Sequence, residues 1–238
     1  MLIKMVSAVF FRFSVHWVGR DHHLKFKGVR IGILLNHTSL YEPIFIRLIP
    51  NNMLWHLAVA GIFPGADKTM NRPIVGRFFR LIAKKPVSIT RKRDQSWTAF
   101  TEAIHGDSLV ILAPEGRMKR ANGLDLNGKP MTVRGGIADV LEPLDKGRLV
   151  VLYSGGLHHV QVPGQFFPKP FKRVQAVFET LDIASYKKSL EADTREIGFR
   201  KAVMKDLERR RDLYCTEPSV EWQTEGLPDL QAQDPELF

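Results

Sequence analysis

The chain has 238 residues, 44% of them hydrophobic and 25% charged, a balance that excludes a disordered, collagenous or polytopic membrane protein. A single cysteine, Cys215, excludes an intrachain disulfide and a cysteine-rich zinc site and fits a reducing compartment. With 35 Lys and Arg against 25 Asp and Glu the net charge is +10, which favours anionic partners: nucleic acid, anionic lipid, or phosphorylated and coenzyme A substrates.

Residues 1–18 are apolar and aromatic, but Lys4 and Arg12 break them below the length a spanning helix needs, and no small-residue cleavage site follows as in a signal peptide. On a helical wheel Leu2, Val6, Val9, Phe13 and Trp17 share a face flanked by Ile3 and Phe10, which predicts an amphipathic helix over 1–20. Such a helix either lies in a lipid headgroup layer or packs on the protein's own core.

From residue 29 short runs of Val, Ile and Leu alternate with helical patterns, predicting an α/β fold with a mainly parallel or mixed central sheet flanked by helices. Strands are expected near 29–35, 54–60, 87–90, 108–113, 149–153 and 174–178. Helices are expected over 40–48, 73–83, 95–104, 135–142 and 194–213, and a long loop over 116–134. The main domain is placed at 21–216. Residues 217–238 hold six acidic side chains, three prolines and no Lys or Arg, and are expected to be a poorly ordered acidic tail.

In sheets of this kind ligands bind beyond the carboxyl ends of the strands. The run Ile31–Leu35 leads into Asn36-His37-Thr38-Ser39, the run Val87–Thr90 into Arg91-Lys92-Arg93, and the run Leu109–Ala113 into Pro114-Glu115-Gly116-Arg117. A fourth, Leu149–Tyr153, leads into Ser154-Gly155-Gly156. Glu42 stands five positions after His37, a spacing that lets a carboxylate on the first turn of a helix reach the imidazole and raise its basicity. No Gly-x-Ser-x-Gly element supplies a nucleophile, so direct attack by a substrate hydroxyl is expected. The pairs His22-His23 and His158-His159 lack spaced acids or thiols, and no metal site is expected from them. Arg72, Arg77, Arg80, Lys84 and Lys85 read as a basic helical face, either solvated or set over lipid headgroups or a nucleotide phosphate.

Taken in order, these segments resemble the glycerophospholipid acyltransferases typified by 1-acylglycerol-3-phosphate acyltransferase. Asn36-His37-Thr38-Ser39-Leu40-Tyr41-Glu42-Pro43 resembles their His, four residues, Asp motif, with Glu in place of Asp. Val87–Arg91 is similar to the block that ends in a phosphate-contacting arginine. Pro114-Glu115-Gly116-Arg117-Met118-Lys119, followed by Val133-Arg134-Gly135-Gly136, resembles the Pro-Glu-Gly-Thr-Arg-Ser block, with Met118 where the family has arginine. Val150–Tyr153 matches the fourth block without its usual proline.

The resemblance implies a catalytic dyad of His37 and Glu42, with Arg91, Glu115, Gly116 and Arg117 in substrate binding and backbone N–H groups near Gly116 or Gly135 as an oxyanion site. It implies transfer of a fatty acyl group from an acyl-coenzyme A or acyl carrier protein thioester, used as co-substrate with no separate cofactor. The acceptor would be the hydroxyl of a lysophospholipid or glycerol phosphate, at the cytoplasmic side of a membrane, with peripheral or monotopic attachment. Another reading of the same fold is a lipid- or membrane-binding module without catalysis. A nucleic-acid partner is not expected, because charge alone points to it.

Overall fold

The computed structural model describes residues 1–19, 26–66, 85–90, 94–163, 165 and 167–215. The expected helix over 73–83, Arg72, Arg77, Arg80 and Lys84 of its basic face, His22-His23, Arg91 and the acidic tail lie outside those residues, while Lys85, expected on that helical face, instead begins the strand Lys85–Ile89.

A seven-stranded mixed sheet forms the centre of the fold, in the order β1-β7-β6-β2-β5-β3-β4. The strands are β1 (Arg12–Trp17), β2 (Val29–Leu35), β3 (Gly61–Ala66), β4 (Lys85–Ile89), β5 (Leu109–Leu112), β6 (Arg148–Ser154) and β7 (Arg173–Asp182). Every neighbouring pair is parallel except β6 and β7. The carboxyl ends of β2, β5 and β6 therefore emerge side by side, with Leu35 in register with Tyr153 and Ile33 with Leu112.

Period-two alternation gives each face of the sheet its own core. Ile31, Ile33, Leu35, Val151 and Tyr153 point to one side. There they pack under α3 (Gln95–Glu102), α4 (Gly136–Leu141), α5 (Ile183–Ser189) and α7 (Phe199–Tyr214), through Phe100, Ile137, Ile183, Val203 and Leu207. Val150, Leu152, Val174 and Phe178 point to the other side and pack with Phe11, Ile44, Phe45, Met53 and Leu57. The last four come from a 3₁₀ helix, Glu42–Leu48, and from α2 (Asn51–Ala60).

Three expectations are corrected. Residues 54–60 belong to α2, because Met53 and Leu57 recur at helical spacing on the buried side while Trp55 and Val59 face out; a short apolar run does not by itself separate helix from strand. The strand lies next, at β3, and contains Pro64. β5 pairs there only with Gly61 and Ile62, so Pro64 stands where its missing N–H costs no bond on that side. The helix expected over 194–213 is two, α6 (Glu191–Ile197) and α7, separated at Gly198 with φ +83°.

The amino-terminal helix ends early as well. α1 spans Leu2–Phe10, and residues 12–17 form β1, in which Phe13 packs edge-on against Phe45 and Trp17 stacks on Phe178. What remains of the amphipathic pattern points outward. Leu2, Met5, Val6 and Val9 are exposed, and the one buried residue of α1 is Ser7 on the opposite side. No helix among the described residues is long and apolar enough to cross a membrane.

Candidate active site

β2 ends at Leu35 and the chain turns through Asn36, whose left-handed φ of 62° is one that Asn tolerates better than most residues. Its side-chain amide donates to Ser154 O at 2.9 Å, joining the ends of β2 and β6. His37 follows, with its side chain 21% exposed at the crevice.

Glu42, the first residue of the 3₁₀ helix, closes a compact ring. Its Oε2 takes the His37 Nδ1–H, and its Oε1 accepts from the amides of Thr38 at 2.6 Å and Ser39 at 3.2 Å. The carboxylate is held from three directions, which accommodates Glu in place of the shorter Asp. With Nδ1–H donated, Nε2 carries the lone pair, and among the described residues it has no partner. Burial works against protonation of His37, but the charge and hydrogen bond of Glu42 and the charge of Glu115 outweigh it, so the imidazole pKa lies above its usual value.

Glu115 stands differently from the expectation of substrate contact. It is 1% exposed; Oε2 accepts the His37 amide at 2.8 Å, and Oε1 faces Arg211 of α7 at 3.4 Å. Its burial and these two contacts make it a support behind the histidine. Burial raises its pKa, opposed by the His37 amide and by Arg211.

Gly116 turns the chain at φ +65°, and its N–H is spent on Ala113 O at 2.9 Å, so that amide is not available to an oxyanion. Arg117 pairs through Nη1 with Asp125, a buried residue that also accepts from the amides of Asn127 and Lys129 and organises the loop expected over 116–134. The Lys119 amide donates to His37 O at 2.7 Å, closing this loop over the histidine.

Arg134 is pinned by its amide to Pro114 O at 2.8 Å, and its stem passes over Gly116. The two glycines after it have a steric reason. A Cβ on Gly135 would stand 2.5 Å from Arg200 Nη1, and one on Gly136 would stand 2.6 Å from the Trp97 ring. These residues frame a cavity of about 360 Å³ between β3, β5, α3 and α4. Pro64, Ile89, Trp97 and Leu112 form its apolar wall, and Arg117, Arg134 and Arg200 bring guanidinium groups. Arg200 is paired with Asp139, which also accepts from the Trp97 indole, so of the three only Arg134 has no carboxylate partner among the described residues.

The structure thus joins His37, Glu42, Glu115, Gly116 and Arg117, while Arg91 is not among the described residues. Arg211, Trp97 and Arg200 were not legible as site residues. No motif marks them, and only the docking of α3 and α7 brings them there. Burial pushes the Cys215 thiol up, away from a nucleophile's range. No three His, Cys, Asp or Glu side chains among the described residues gather to hold a metal ion.

Fold and strand-end crevice together define a mixed α/β protein with an amino-terminal helix. The structure is similar to the crystal structure of the 1-acyl-sn-glycerophosphate (LPA) acyltransferase PlsC from Thermotoga maritima, with a TM-score of 0.51 over 87% of this chain and 78% of that one. Sequence identity is 16%, so the likeness establishes the fold. No protein-family model matches the chain, and a comparison with curated proteins gives no significant match.

Proposed function

We propose that the protein is an O-acyltransferase acting on a lysophospholipid or glycerol-phosphate hydroxyl. The observation that carries this reading is the His37 imidazole at the end of β2, partly exposed, donating Nδ1–H to Glu42 and leaving an Nε2 that has no partner among the described residues. Nε2 takes the proton of the acceptor hydroxyl as its oxygen attacks the thioester carbonyl carbon. The tetrahedral intermediate collapses with cleavage of the C–S bond, and the departing thiolate recovers the proton from His37. The imidazolium formed between these steps is stabilised by Glu42.

Arg134 is assigned to the acceptor phosphate, because it lines the cavity with no carboxylate partner among the described residues while Arg117 is shared with Asp125. Arg91 is retained as a second phosphate contact on the strength of the sequence resemblance. The apolar wall of the cavity suits an acyl chain. The donor is an acyl-coenzyme A or acyl carrier protein thioester, with no further cofactor. Attachment is peripheral or monotopic, at the cytoplasmic side of a membrane, in keeping with the single unpaired cysteine and the outward apolar face of α1.

The test is thiol release from acyl-coenzyme A, and separately from acyl carrier protein, with a panel of lysophospholipids and glycerol phosphate. Release that needs both acceptor and His37 supports the reading. Wild-type release by His37→Ala removes the His37 mechanism, and silence across all donors and acceptors in the presence of lipid binding replaces the reading with a non-catalytic lipid-binding module.

A further inference from the structure

The loop between β6 and β7 carries the sequence Phe167-Pro168-Lys169-Pro170-Phe171-Lys172, and its two described aromatic rings face solvent, Phe167 at 77% and Phe171 at 67% exposure. Phe171 adopts φ 61°, a left-handed backbone that bulky residues rarely enter. The loop is rigid where it presents this ring: two prolines fix their own φ, the Lys169 amide donates to Val160 O at 2.7 Å, and the Phe171 amide donates to Phe10 O at 2.6 Å. Nothing in the core requires an aromatic side chain here, yet the backbone is held in a costly conformation that displays one.

The Phe171 ring lies 5.8 Å from that of Phe10, the last residue of α1, so the loop and the outward stripe of Leu2, Met5, Val6 and Val9 are continuous. Basic side chains border the patch: Lys169, Lys172, Arg173 and Arg12 are exposed, with Arg12 and Arg173 side by side in the β1–β7 register. The same connection reaches the histidine loop. Gln161 accepts from the Ser39 hydroxyl at 2.6 Å and donates to Gln165 O at 2.8 Å, and the Leu157 amide donates to Thr38 Oγ1 at 2.8 Å.

We propose that α1 and the 167–172 loop form one docking face for an anionic lipid bilayer, with the Phe171 ring as a wedge at its centre. Apolar side chains rimmed by Lys and Arg match the acyl boundary below and anionic headgroups above. The loop held by these bonds loses little entropy on insertion, and Leu157 and Gln161, earlier in the same connection, tie it to Thr38 and Ser39 beside the histidine. This rests on the reading of a lipid substrate drawn from a membrane.

Vesicle co-sedimentation tests it, with phosphatidylcholine alone and with phosphatidylglycerol added. Wild type partitions onto the mixed vesicles more strongly, and salt weakens the binding. Phe171→Asn lowers partitioning about tenfold, the loss of roughly one inserted aromatic contact. Its melting temperature is unchanged or raised, since Asn tolerates the left-handed backbone. Lys169→Glu with Lys172→Glu removes the preference for phosphatidylglycerol. Absent wild-type binding, undiminished partitioning of Phe171→Asn, or a lowered melting temperature in that variant overturns the proposal. A wild-type dimer that Phe171→Asn dissociates, with partitioning unaffected, assigns the face to a second copy and also overturns it. Thiol release with a monomeric short-chain acceptor separates the two readings: Phe171→Asn keeps wild-type turnover there. A protein that docks as described but releases no thiol from any donor removes the acyltransferase and leaves the docking face.

Discussion

Arg211 stands 3.4 Å from Glu115, the carboxylate whose other oxygen accepts the His37 amide, so α7 supports the histidine from 174 positions along the chain. Arg211 also donates to Met131 O at 3.0 Å, which leaves the guanidinium little freedom to leave. Removing it exposes a buried carboxylate to the low-dielectric interior without its cation.

Arg211→Met is therefore expected to cost about 1–3 kcal/mol of stability, less than a fully buried pair because Arg211 is partly solvated. On the proposed function it also lowers kcat with little change in KM, as the His37 backbone loosens. Arg211→Lys recovers part of both. Denaturant melts and steady-state rates on the three proteins check this.

The pH dependence follows from the raised pKa of His37. The base is active only when neutral, so the acidic limb of the rate lies above the ordinary 6.5. Glu42→Gln removes the charge that raises it; the limb then moves to lower pH while the plateau falls by about 10²–10⁴. Stability runs the other way: the protonated pair stabilises the fold below 6.5, and that contribution is lost as pH rises through the folded value. Rate profiles and His37 titration by NMR measure both.

Asp125 gives an acid-range test. The Lys129 amide, Arg117 and the Asn127 amide hold its pKa down at about 2 against an ordinary 3.8. Its contribution to stability is complete above 3.8 and disappears as pH falls through about 2. Asp125→Asn should flatten the melting temperature of the 117–130 loop over that window, read by hydrogen exchange of the Lys119 and Leu124 amides.

Gly136→Ala is expected to destabilise by about 1–3 kcal/mol, because the new methyl meets the rigid Trp97 ring at 2.6 Å. Gly135→Ala costs less, since it meets the flexible arm of Arg200. Trp97→Leu should relieve the first variant and not the second. Thermal melts of the two singles and the two doubles decide it.

Arg134→Met should raise the KM of a phosphate-bearing acceptor about tenfold at near-constant kcat, through loss of a charge-assisted contact. Arg117→Met acts first on the loop, through its bond to Asp125. Steady-state kinetics paired with exchange protection of residues 117–130 distinguish the two.

The sequence by itself determined the alternation of strands and helices from residue 29, the place of His37, Glu115 and Arg117 directly after apolar runs, and the His37–Glu42 spacing. These are local: a period of two, a turn residue after an apolar run, and a five-residue reach lie within a few neighbouring positions. Residues 12–17 show the limit. Phe13, Val15 and Trp17 alternate at period two, yet Phe13 and Trp17 also fit a wheel with Leu2, Val6 and Val9, and only pairing with Arg173–Phe178 settles the segment as a strand. The buried place of Glu115, the claim of Asp125 on Arg117 and the approach of Arg211 and Trp97 depend on how α3 and α7 pack over the sheet. Contacts between distant segments leave no periodicity in the chain, so tertiary structure alone decided them.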